Sequence, residues 1–131
     1  MKKDQKGLKQ VLNEIAPLSF GDALKVLMKY PPKTTVEQLA ESSGLSDKTI
    51  QRMRNGEAVV IQSIVAMCIG LHLHPDISTE MLQKLGYTWG PSVEIHMIYK
   101  TLLCNCNMMT IEECNGILTN ADFEPLTKAE V

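Results

Sequence analysis

Apolar residues recur at helical spacing through almost the whole of this chain, and proline or glycine interrupts them at short intervals. Strict apolar–polar alternation, the mark of a half-buried strand, is missing, and only 5% of residues are aromatic, so good strand formers are scarce. The pattern predicts an all-α fold of short helices. Leu8, Val11, Leu12 and Ile15 follow i, i+3, i+4, i+7, which gives a short amphipathic helix closed by Pro17. Ser19 caps the next helix, with Asp22 near its positive N-terminal end. That helix buries Ala23, Leu24, Leu27 and Met28 and stops at Pro31-Pro32.

Thr35-Val-Glu-Gln38 reads as a capping box for a brief helix over 36–43, which Gly44 ends. Ser46 caps another helix that runs to the left-handed stop Asn55-Gly56. The largely apolar stretch Val60 to Leu73 predicts a buried central helix ended by Pro75. Asp76 or Ser78 starts the next, with Met81, Leu82 and Leu85 inward and Gly86 as its stop. Pro91-Ser92 opens a further helix with Val93, Ile95, Ile98, Tyr99, Leu102 and Leu103. Thr110-Ile-Glu-Glu113 is a second capping box, leading a helix with Ile111, Cys114, Ile117 and Leu118. Pro125 and the polar end are expected to fray.

A length of 131 residues fits one domain with an appended helical hairpin. No run approaches the roughly 18–20 consecutive apolar residues of a membrane helix. The basic start MKKDQKGLKQ lacks the apolar stretch and cleavage site of a secretory signal, so the expectation is a cytoplasmic protein without a membrane partner. The formal net charge of -2 is unevenly distributed: residues 1–30 hold six Lys and three acids, whereas residues 61–131 hold three Lys and eight acids. An N-terminal half suited to meeting phosphate is the consequence.

The stretch Val36–Asn55 reads VEQLAESSGLSDKTIQRMRN. Two short helices that cross steeply need a small residue where they nearly touch, here Ala40, and a residue tolerant of positive φ at the turn, here Gly44. Leu39, Leu45, Ile50 and Met53 are spaced to bury against the rest of the domain. Counted from Val36, Ala falls fifth, Gly ninth, Leu tenth, Ile fifteenth and Met eighteenth. On these residues the segment resembles the helix-turn-helix of the phage-repressor (Cro/C1, Xre) family of regulators, and about residues 20–86 match its five-helix plan. The run IYKTLLCNCNMMTIEECNGIL is similar to an extension found in some regulators of that family from Gram-positive bacteria.

The resemblance implies a five-helix lambda-repressor-like DNA-binding domain at 19–88. A short N-terminal helix (1–18) precedes it, and an extension (89–131) built as a helical hairpin over 92–122 follows. It implies a sequence-specific binder of double-stranded DNA, a transcriptional repressor acting as a homodimer, with the helix at 46–55 in the major groove. Ser46, Asp47, Lys48, Thr49, Gln51 and Arg52 are then the residues exposed to DNA, with Thr35, Gln38, Arg54 and Asn55 at the flanks. Gln51 suits adenine, Arg52 and Lys48 suit guanine or phosphate, and Ser46 and Thr49 suit phosphate or a thymine methyl. Asp47 repels phosphate but suits a cytosine amino group or its own helix N-terminus. The chain departs from the family pattern at Val36, where a polar phosphate anchor is usual, a task that Thr35 or Gln38 takes over. It departs again at Arg54-Asn55-Gly56, where an acid usually precedes Asn; an inverted pair between Arg54 and Asp22 is one compensation.

The rival reading is a protein-interaction module or antitoxin-type regulator, with a protein partner held through the C-terminal extension and its Met108-Met109 surface. Cys104-Asn-Cys106, Cys114 and His96 raise zinc, but a Cys-x-Cys followed at eight residues by one Cys matches structural zinc spacing poorly. Cys68 and Cys114 fit apolar helix faces, and reduced thiols are expected. His72 and His74 are expected to serve a helix end or the surface. No catalytic set or phosphate-cradling glycine loop is present, so neither an enzyme, a metal nor a cofactor is expected.

Overall fold

The computed structural model describes residues 5–30, 33–87, 94–105 and 108–127, and these form eight helices with no strand among them. They are α1 (Gln5–Ile15), α2 (Phe20–Lys29), α3 (Val36–Ser43), α4 (Asp47–Arg54), α5 (Ile61–Gly70), α6 (Pro75–Lys84), α7 (Glu94–Cys104) and α8 (Ile111–Asn120). The stop expected at Pro31-Pro32 and the start expected at Pro91-Ser92, with Val93, lie outside the described residues, as does Cys106.

Local chemistry explains most of the boundaries. Ser19 Oγ accepts from the Asp22 N–H at 3.3 Å and starts α2. Thr35 and Gln38 cap α3 reciprocally, at 3.1 and 2.9 Å, and Thr110 and Glu113 repeat the arrangement on α8 at 3.1 and 2.9 Å. Gly56 (φ 78°) closes α4 while the Glu57 N–H reaches back to the Arg52 carbonyl at 2.9 Å. Two boundaries differ from the sequence expectation. α5 stops at Gly70, short of Pro75, because His72 turns left-handed (φ 52°) and the Leu73 N–H bonds the Cys68 carbonyl at 3.1 Å. α6 begins at Pro75 rather than at Asp76 or Ser78, because His74 Nδ1 accepts from the Asp76 N–H at 3.1 Å.

α5 is the pivot. Ile64 to Ile69 are fully buried on every side, so the helix has no polar face and needs neighbours all round. It packs against α3, α6, α7 and α8, while α2 packs against α1, α4 and α6. α7 and α8 lean on α5 more than on one another, so among the described residues they are a pair of flanking helices rather than a self-contained hairpin. Tyr99, Leu102 and Leu103 of α7 and Ile111, Cys114 and Leu118 of α8 join the same buried cluster as Val11 and Ile15 of α1.

Two polar ties fix the periphery. The Lys84 ammonium, on a side chain only 8% exposed, donates to the carbonyls of Ile15, Ala16 and Leu18 at 2.7, 3.2 and 2.7 Å and pairs with Glu80 at 3.5 Å. A cation thus meets the negative end of α1, clamping it to α6. At the other end, the segment after α8 is packed rather than frayed as far as Thr127. Leu126 is buried, and Asn115 bonds the backbone on either side of it.

Candidate nucleic-acid interface

α3 and α4 form a helix pair joined by Gly44-Leu45-Ser46. Gly44 has φ 77° and its N–H bonds the Ala40 carbonyl, so the turn takes a backbone state that a side chain disfavours. Leu45 is buried, and buried Ser43 completes the turn: its hydroxyl donates to the Leu39 carbonyl at 2.6 Å and accepts from the Leu45 N–H at 3.1 Å. Leu39, Ile50 and Met53 are fully buried, and Ala40 is half-buried against the core.

With Ile50 and Met53 turned inward, the opposite side of α4 faces out. Lys48, Gln51, Arg52 and Asn55 are all exposed and, at i, i+3, i+4 and i+7, share one stripe of the helix. The ion pairs among the described residues are Asp22–Lys25, His74–Asp76 and Glu80–Lys84, so Lys48 and Arg52 are engaged by no carboxylate there. Ser46 caps α4 by accepting from the Thr49 N–H at 3.1 Å, and the two hydroxyls lie 2.9 Å apart. Whichever of them donates, the other keeps its hydrogen for an outside acceptor. Asp47 is exposed in the first turn, where its charge complements the helix dipole.

Thr35 and Gln38 are exposed at the start of α3, and their mutual capping leaves the Gln38 amide N–H₂ unbonded among the described residues. Arg54 is set apart from the exposed stripe. It is half-buried, its Nε has no partner among the described residues, and its carbonyl lies on Gly21, where an added Cβ would come within 2.6 Å. The compensating pair with Asp22 does not form, since Asp22 pairs with Lys25 at 3.9 Å and α4 meets α2 through backbone at this point.

Sequence reasoning missed the residues that seat the helix pair. Ser42 Oγ donates to the Gly70 carbonyl at 3.0 Å, and a Cβ on Gly70 would lie 2.8 Å from that of Ser43. Gly21 and Gly70 therefore set how closely α4 approaches α2 and α3 approaches α5. In the sequence Gly70 lies inside the apolar stretch Val60 to Leu73, and nothing local marks it as a close approach.

The thiols separate by environment: Cys68 and Cys114 are buried and Cys104 is exposed. Among the described residues no three or more His, Cys, Asp or Glu side chains gather in a metal-binding cluster, and no helix is long and apolar enough to cross a membrane. No protein-family model, curated protein or solved structure matches this chain.

Proposed function

We propose that this chain is a sequence-specific binder of double-stranded DNA, a transcriptional repressor of the phage-repressor (Cro/C1, Xre) kind that acts as a cytoplasmic homodimer. The observation that carries the reading is the exposed stripe Lys48, Gln51, Arg52 and Asn55 on a short helix whose other face is buried. Such a helix enters a major groove without unfolding anything, and its side chains suit base edges: Gln51 for adenine, Arg52 and Lys48 for guanine or phosphate. The free amide hydrogens of Gln38 and the remaining hydroxyl hydrogen of the Ser46–Thr49 pair supply phosphate donors beside it. Helices α2 to α6 serve as the five-helix repressor-like unit in this reading.

Selection of bound oligonucleotides from a random duplex pool tests the proposal, with an enriched inverted repeat as the expected outcome. Affinity for the selected site should fall steeply with salt, in proportion to the phosphates contacted. The double substitution Lys48→Ala, Arg52→Ala should weaken it at least about thirtyfold, since each such contact is worth about 1–3 kcal/mol. Retained affinity in a folded double variant would remove α4 as the reading face.

One observation favours a second reading, an interaction module or antitoxin-type regulator. Met97, Met108 and Ile117 are 52%, 79% and 43% exposed in the C-terminal part, and exposed apolar side chains, the flexible methionines above all, are ones that a protein partner can cover. The two readings are compatible in one chain.

A further inference from the structure

The segment after α8 makes contact with the α3–α4 turn. The left-handed residue Asp122 (φ 65°) turns the chain, and Phe123 N–H closes α8 on the Leu118 carbonyl at 2.9 Å. Leu126, 5% exposed, then enters the core. Asn115 of α8 grips both sides of it: Oδ1 accepts from the Leu126 N–H at 2.8 Å, and Nδ2 donates to the Thr127 carbonyl and hydroxyl, both at 3.3 Å. Thr127 is thereby laid over Gly44. A Cβ on Gly44 would meet Thr127 Oγ1 at 2.5 Å and its Cβ at 3.2 Å, so the absent side chain of the turn glycine is the space that Thr127 occupies.

We propose that residues 123–127 are a strap that fastens the α3–α4 turn to α8, and that its engagement holds α4 in its duplex-reading position. The second half of this inference rests on the DNA-binding reading; the first does not. The strap bears on the turn two residues before Ser46, the cap from which α4 starts, so a shift of Gly44 displaces the N-terminal end of the exposed stripe. Anything that draws the strap away, such as a partner bound at α8, would act on DNA affinity at a distance.

Asn115→Ala in the full chain removes the grip without touching the turn. The expected result is hydrogen exchange faster by about tenfold at the Gly44 and Leu45 amides, both hydrogen-bonded, with the Ala23 amide of α2 unchanged. Exchange that stays the same, or rises equally at all three, would overturn the strap. Independently, Gly44→Ala should lower the thermal midpoint less in a Thr127→Gly background than in the natural one; equal losses would again overturn it. With the selected oligonucleotide, Asn115→Ala should weaken binding several-fold. Unchanged affinity alongside locally faster exchange would overturn the coupling to α4. If the natural chain selects no duplex at all, the DNA reading fails, while the exchange and midpoint tests still decide the strap.

Discussion

Tyr30 and Glu14 sit on different helices' ends, and their contact shows how a single pair ties α1 to α2. The phenol donates to Glu14 Oε1. That hydrogen bond, then burial and then the carboxylate's charge, push the Tyr30 pKa up from 10.0 to about 12. All three favour the protonated phenol, so the folded chain holds this proton more tightly than the unfolded one. The pair's stabilisation is therefore fully present below pH 10, and it is lost as pH rises through about 12. In Glu14→Ala, absorbance titration of the phenols should show one tyrosine moving down towards 10, while Tyr99, raised by burial, keeps its place. A titration curve identical to that of the natural chain would show the pair not to form in solution.

At the scale of the element, what the sequence discloses depends on how far away a residue's partner lies. The caps Ser19, Thr35, Ser46 and Thr110 act within three residues, and all four are legible. So are the glycine stops Gly56 and Gly86, each in the left-handed state. The matching ends at His72 and Asp122 are not, because nothing about those side chains demands a positive φ; burial of the following Leu73 and the packing of Phe123 impose it. His74, expected to serve a helix end or the surface, caps a helix: its Nδ1 accepts from the Asp76 N–H at the start of α6. The inward side of α4, Ile50 and Met53, is legible from the spacing, whereas its exposed residues are what the resemblance implies, and of these Thr49 is half-buried. The close approaches at Gly21 and Gly70 are not legible, since their partners Arg54 and Ser43 lie far off in sequence. Two glycines make this testable. Gly→Ala inside a helix gains about 1 kcal/mol from propensity. Gly116 has nothing within 4 Å of an added Cβ, so Gly116→Ala should raise stability by about 0.5–1 kcal/mol. At Gly70 the same Cβ lies 2.8 Å from Ser43 Cβ and 3.0 Å from its Cα, and overpacking of about 1–3 kcal/mol outweighs the gain. Gly70→Ala should therefore lower the urea midpoint; a rise would mean that α3 and α5 separate freely.

Over the whole molecule the decisive fact is that one buried cluster runs from Val11 to Leu126. The division that the resemblance implies is a leading helix, a middle unit and a C-terminal extension. Periodicity shows which face of each helix is apolar but not which neighbour covers it, so covering the core was one of three roles open to the C-terminal helices, beside dimerisation and binding a partner protein; α7 and α8 do pack on α5. Because α5 is apolar all round, the extension supplies part of its cover rather than riding on a finished domain. Perturbing the extension should consequently reach the helix pair. Leu118 is fully buried in α8, and Leu118→Ala should cost about 2–5 kcal/mol through lost burial and the cavity left behind. If the core is one cooperative unit, that loss appears as a single transition moved to lower denaturant, equal by far-UV circular dichroism and by exchange of the Ile50 amide in α4. Were α7 and α8 only an appended piece, the Ile50 amide would keep its natural protection while an early transition removed the C-terminal helices alone. The continuity of the cluster from α1 through α5 to Leu126 predicts the first outcome, in which the stripe on α4 is only as stable as the C-terminal helices that cover α5.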